Sequence, residues 1–216
     1  MTKGMRIGVF GGTFDPPHYG HLILAEEAGF ELHLDRLLWV LTAWPPHKQG
    51  MAISDVDYRL ELVQAAIAHN PVFELSRVEI DRPGPHYAVD TLRLLAGQYP
   101  GAELYYLMGG DSLHDLPTWH QPQQLVALVS SLVVMRRPED AVDLEALESV
   151  LPGVAGKVQY LNVPFIEISS SDIRQRIASG RPFRYFLPPA VYDLIQQRHP
   201  YPNSSGEEDT QTPSLP

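Results

Sequence analysis

Apolar residues follow two rhythms along this chain. Short solid runs suit buried strands: residues 5–10 (MRIGVF), 37–41 (LLWVL), 103–108 (ELYYLM) and 131–136 (SLVVMR), with shorter extended segments at 73–80 and 158–163. Between them, apolar positions recur every three or four residues. Leu22, Ala25, Gly29 and Leu32 form one stripe, and Val56, Leu60, Val63 and Ile67 a second, with Ser54 as the expected N-cap. Further helices are expected over 87–99 (Val89, Leu92 and Leu95 inward), 122–129, 143–151, 168–179 and 190–198 (Val191, Leu194 and Ile195 inward). Strands alternating with helices predict one α/β domain over residues 1–200. Its fold class is a Rossmann-like open parallel sheet with helices on both faces, right-handed crossovers and a 3-2-1-4-5 strand order. Beyond Pro200 almost nothing apolar remains, so residues 201–216 are expected to form a disordered acidic tail.

The first strand hands over to the first helix through GGTFDPPHYGH, residues 11–21. Unpaired N–H groups and the positive dipole end of a helix start favour phosphate, and Gly11 and Gly12 let backbone approach a ligand closely. His18 and His21, three apart, share a face if the helix begins near His18, so two imidazoles point at whatever the amides hold. The run is neither GxGxxG nor GxxxxGK[ST], which removes the dinucleotide and P-loop readings. The pair also lacks the HExxH form and any cysteine, so no metal ligand set is expected of it.

Other positions gather at the same end of the sheet. Lys48, on a loop after the second strand, points into the crevice outside the strand ends. Gly109 and Asp111 follow the fourth strand, where an aspartate suits ribose hydroxyls. Trp119, between a proline turn and a polar helix start, suits ring stacking. Ser169, Ser170, Ser171 and Asp172 make a helix N-terminus signature with Arg174 one turn on, a second anion-binding end.

Composition narrows the partners. The net charge of −10 over 216 residues disfavours nucleic acid and anionic membrane as partners, so a phosphorylated small molecule must meet a local positive cluster. The absence of cysteine excludes disulfides and thiolate catalysis. No stretch reaches the length of a signal core or a membrane span, which makes a cytoplasmic location the expectation.

The 11–21 loop resembles the HxGH signature of the nucleotidyltransferase superfamily. Within it, the chain is similar to the bacterial nicotinate mononucleotide adenylyltransferases, through Trp44-Pro45-Pro46-His47-Lys48, Gly109-Gly110-Asp111-Ser112-Leu113, Pro117-Thr118-Trp119, Arg136-Arg137-Pro138 and residues 168–174 (ISSSDIR). The resemblance covers about residues 5–198 and implies ATP and nicotinate mononucleotide as substrates, with Mg²⁺ carried on ATP. It implies His18, His21 and Arg174 as catalytic residues. Gly11, Gly12, Thr13, Phe14, Ser170 and Arg137 would bind ATP and its phosphates, and Gly109 and Asp111 the ribose. Lys48, Ala88, Trp119 and His120 would bind the mononucleotide. The family often carries threonine where this chain has Ala88, which leaves only a backbone N–H for that contact. Two rivals share the loop: another transferase, such as a phosphopantetheine adenylyltransferase, and a nucleotide sensor that does not react. Oligomeric state is not encoded in any feature of the sequence identified above.

Overall fold

A computed structural model of the chain describes residues 4–43, 53–135, 142–164 and 166–201. In order, they form β1 (Arg6–Gly12), α1 (Tyr19–Glu31), β2 (Arg36–Leu41), α2 (Val56–Ile67), β3 (Phe73–Ser76), α3 (Ala88–Gln98), β4 (Glu103–Gly109), α4 (Gly110–Asp115), α5 (Pro122–Leu128), β5 (Ser131–Met135), α6 (Leu144–Val150), β6 (Val158–Leu161), α7 (Ser170–Ala178) and α8 (Pro189–Arg198). The strands pair side by side, all parallel, as β3-β2-β1-β4-β5-β6. The expected order holds, extended by β6 at one edge.

The period of two along each strand splits the core into two layers. Ile7, Val9, Leu38, Val40, Leu104, Met108, Leu132 and Val134 face Val89, Leu92 and Leu95 of α3 and Leu125 of α5. Phe10, Leu37, Trp39, Leu41, Tyr105, Leu107 and Val133 face Leu24, Ala25 and Ala28 of α1 and Leu60, Val63 and Ile67 of α2. Burial of both faces explains the solid apolar runs. Because the winding reverses between β1 and β4, their carboxyl ends diverge into a crevice.

A third apolar cluster was not visible in the stripe read from α2. Tyr58 and Leu62, on the helix face away from the sheet, pack with Ile173 of α7, Val191 and Ile195 of α8, and Leu187 and Tyr201. α2 is therefore buried on two sides, and the C-terminal helices dock on its back.

Several expectations shift locally. Asp55, not Ser54, caps α2, its carboxylate accepting from the Asp57 N–H at 2.9 Å. Gly110 and Asp111 begin a short helix, α4, that the sequence reading left as loop. Tyr201, assigned to the tail, is only 8% exposed, so the folded unit extends at least through it. Residues 202–216 lie outside the described residues, as do Lys48 and Arg137.

Candidate active site

A cleft of about 780 Å³ opens at the carboxyl ends of β1 and β4. That volume lies in the upper part of the range for small-molecule sites. One end is built by the loop between β1 and α1. His18 is the N-cap of α1 and His21 stands at its third position, and the two rings lie 3.7 Å apart between centroids. The His18 N–H donates to His21 Nδ1 at 3.2 Å, and a ring that accepts at Nδ1 carries its proton at Nε2. His18 is 6% exposed, and burial lowers its pKa from 6.5 to about 4, so it is a neutral imidazole at pH 7. Two glycines make room for this packing. A Cβ on Gly20 would stand 3.1 Å from His18 Cε1 and Nδ1, and one on Gly12 would fall 2.7 Å from Phe14 Cζ.

The same loop is gripped from behind by three distant segments. Arg59 of α2, 1% exposed, spreads its guanidinium over four carbonyls: Ser54 at 2.9 Å, Thr13 at 3.0 Å, Thr42 at 2.9 Å and Ala43 at 3.1 Å. Asp15, 2% exposed, accepts the Ser54 N–H at 3.0 Å and the Tyr201 hydroxyl at 2.7 Å. From α7, the Ser170 hydroxyl donates to the Pro16 carbonyl at 2.8 Å and Arg174 Nη1 to the Asp15 carbonyl at 2.7 Å. Phe14 holds a left-handed backbone, φ +48°, inside this grip, a conformation a phenylalanine keeps only when its surroundings impose it.

The three serines of the α7 start divide their tasks. Ser169 caps the helix by accepting from the Asp172 N–H at 3.0 Å, and Ser171 accepts from Arg174 Nη2 at 3.3 Å. Ser170 spends its one hydroxyl hydrogen on Pro16, so what it offers an anion is its backbone N–H at the helix start.

The other end of the cleft joins the start of α3 to the turn before α5. Tyr87 and His120 stack with centroids 4.1 Å apart, which draws Ala88 and Trp119 to the same wall. Trp119 stands edge-on to Tyr106, 6.2 Å between centroids and 86° between planes. Ala88 is the first residue of α3, so the helix itself leaves its N–H unpaired. His120 precedes α5 by two residues, just before its N-cap Gln121. Glu79 and His86, not anticipated, also line this end. Glu79 accepts from the Thr91 hydroxyl at 2.7 Å, and burial raises its pKa; burial, with Arg82 nearby, lowers that of His86.

Of the residues the sequence proposed, Gly11, Gly12, Thr13, His18, His21, Ala88, Gly109, Asp111, Trp119, His120 and Ser170 line this one cleft. Phe14 does not: its ring is buried with Phe10 and Trp39, leaving its backbone as its only route to a ligand. Arg174, beside that lining rather than in it, donates from Nη1 to the Asp15 carbonyl and from Nη2 to the Ser171 hydroxyl. Arg59, Asp15 and Tyr201 were missed. An arginine within a helix normally reads as a solvated face, and the chain carries no local mark that this one is buried.

The chain matches the cytidylyltransferase-like family over residues 9–176. A Thermomicrobium roseum protein named "probable nicotinate-nucleotide adenylyltransferase" is 46% identical over 96% of this chain and 97% of its own length. A Roseiflexus protein of the same name is 45% identical over 88% of this chain and 94% of its own. Among solved structures, the nicotinic acid mononucleotide adenylyltransferase of Plasmodium falciparum, complexed with NaAD, superposes with a TM-score of 0.75 at 19% identity over 91% of this chain and 97% of its own, a likeness of fold. The motif, the cleft and these relatives agree, and the chain belongs to the nicotinate-nucleotide adenylyltransferase family of cytidylyltransferase-like proteins.

Proposed function

We propose that this chain transfers the adenylyl group of ATP to nicotinate mononucleotide, forming deamido-NAD and pyrophosphate in NAD biosynthesis. The observation that carries the proposal is the neutral His18 packed on His21 at the start of α1, inside a cleft whose far wall holds Trp119 and the unpaired Ala88 N–H. Full-length relatives bearing this enzyme name support it.

A phosphate oxygen of the mononucleotide attacks the α-phosphorus of ATP. A new P–O bond forms, the bond to the bridging oxygen breaks, and pyrophosphate leaves with the electron pair. The substrate brings its own nucleophile, so the protein orients and neutralises. His21, with its proton on Nε2, and neutral His18 donate hydrogen bonds to the α- and β-phosphates beside the amides of Gly12, Thr13 and Phe14. The N–H groups at the start of α7 and the remaining guanidinium N–H groups of Arg174 hold the leaving pyrophosphate. Gly109 and Asp111 take the ribose, and Trp119 stacks on the pyridine ring, whose carboxylate accepts from the N–H groups of Ala88 and His120. Lys48 is assigned the mononucleotide phosphate and Arg137 the ATP pocket, both outside the described residues. Mg²⁺ enters on the triphosphate as part of the substrate, held by phosphate and water.

No helix among the described residues is long and apolar enough to cross a membrane. We place the reaction in the cytoplasm. The test is pyrophosphate release by purified protein with Mg–ATP and a panel of nicotinate mononucleotide, nicotinamide mononucleotide and phosphopantetheine. Release with nicotinate mononucleotide foremost is expected. Release only with phosphopantetheine, or ATP binding without release, overturns the assignment.

A further inference from the structure

The grip on the phosphate loop reaches beyond any residue that touches the cleft. Asp15 sits three positions before His18, and its two carboxylate oxygens are committed to segments far apart in the chain: the Ser54 N–H at the entry to α2 and the hydroxyl of Tyr201 after α8. One position further back than Phe14, the Thr13 carbonyl is held by Arg59, whose other three bonds fix the end of β2 and the approach to α2. In a trans peptide, C=O and N–H point opposite ways. Arg59, drawing the Thr13 carbonyl toward α2, therefore turns the Phe14 N–H away from α2. Phe14, on the other side of that peptide, holds a left-handed φ of +48°.

We infer that Arg59 and Tyr201 are positioning residues for adenylyl transfer, acting through the Thr13 carbonyl and the Asp15 carboxylate to hold the 13–18 loop in its phosphate-binding form. The inference rests on the proposed function for its kinetic readout, though not for its geometry. Neither side chain lines the cleft. The Tyr201 phenol is kept far above its ordinary pKa by burial and by Asp15, so it remains protonated and a donor throughout the working range. Its ring also packs against Tyr58, Leu62 and Ile195, and a phenylalanine there keeps that packing while removing the hydroxyl's bonds to Asp15 and Ser54. Arg59→Lys keeps a charge but cannot reach four carbonyls, since an ammonium has three donors and no planar fork.

The test compares five chains: the full chain, one ending at Tyr201, one ending at Pro200, Tyr201→Phe and Arg59→Lys. For each, kcat and KM for both substrates are measured with the melting temperature, and the His18 ring is titrated by NMR. The chain ending at Tyr201 is expected to match the full chain. Tyr201→Phe should lower kcat about tenfold, Arg59→Lys about thirtyfold or more, both with KM for the mononucleotide within twofold, because the ring end of the cleft is untouched. The His18 pKa, about 4 in the parent, should rise toward 6.5 as the loop loosens. Should the parent transfer no adenylyl group, the functional reading fails by itself, and the His18 titration alone then decides the positioning role. A Tyr201→Phe chain with kcat within twofold of the parent and an unmoved His18 pKa overturns the inference. So does a loss of kcat that tracks melting temperature alone, with no change at His18.

Discussion

The two ends of the cleft are held in different ways. The phosphate end is fixed by bonds between residues far apart in the chain, with separations of 46 (Arg59 to Thr13), 154 (Ser170 to Pro16), 159 (Arg174 to Asp15) and 186 (Tyr201 to Asp15). The ring end is joined over shorter separations: the Tyr87–His120 stack and the Arg93–Gln121 bond, 28 positions apart, link α3 to the start of α5, and Thr91 to Glu79 across 12 positions, Arg82 to Thr91 across 9 and to the Pro85 carbonyl across 3 complete it. Transfer chemistry needs donors fixed against developing phosphate charge, and long-range clamps supply that rigidity. Ring recognition needs a stacking plane and two N–H groups, which local structure supplies.

The largest effect should come from breaking the phosphate end. His18→Ala or His21→Ala is expected to lower kcat by about a hundredfold or more, in line with removing a donor from a preorganised site. A folded variant, by circular dichroism and melting, with near-parental kcat would refute the roles given to these rings.

At the ring end the expected effect is on selectivity. Two N–H donors facing one substituent suit a carboxylate, which only accepts, and oppose the NH₂ of a carboxamide. An unpaired donor costs about 1–3 kcal/mol, so kcat/KM should favour nicotinate over nicotinamide mononucleotide by roughly ten- to a hundredfold. Trp119→Ala should weaken both acceptors alike and leave their ratio intact. Equal kcat/KM for the two acceptors in the parent chain would remove the assignment of the Ala88 and His120 amides.

A smaller effect separates the ends by pH. The His18 pKa is depressed to about 4 in the folded chain, so the unfolded chain binds more protons between pH 6.5 and 4, and stability falls as pH falls through that window. Between pH 6 and 5 the slope from this group is about 1 kcal/mol per pH unit, and His18→Asn should remove it from denaturant titrations. Glu79 works with the opposite sign. Its folded pKa is raised, so its contribution is present at low pH and lost as pH rises through the folded value. Glu79→Gln should make stability less sensitive to rising pH above the ordinary carboxylate range, and an unchanged profile would argue against its buried state.

The smallest expected effect is that of deleting residues 202–216. The segment has almost no apolar side chains to bury, so kcat and melting temperature should both hold. A drop of several degrees would show that it docks on the domain.

The sheet was legible because its strands are buried on both faces and read as solid apolar runs, and the β1-to-α1 loop because GGTFDPPHYGH is dense in constrained residues. What escaped was whatever broke the apolar and polar code. Arg59 is a charged residue spent wholly on carbonyls, and Tyr58 and Leu62 form a second stripe on a helix already accounted for. Tyr201 vanished into the polar composition that follows it. Glu79 and His86 are polar groups in a short segment with no periodicity, and only the fold brings Glu79 to Thr91 and both groups to the cleft.

The bond between Tyr201 and Asp15 also bears on the order of events during synthesis. Asp15 leaves the ribosome 186 positions ahead of its partner. β1 cannot rest between its neighbours until β4 has been made. The signature loop is thus made long before Tyr201, and it meets its last restraint only when the end of α8 has been translated. Chains released early, before Tyr201, should accumulate as folded but poorly active protein.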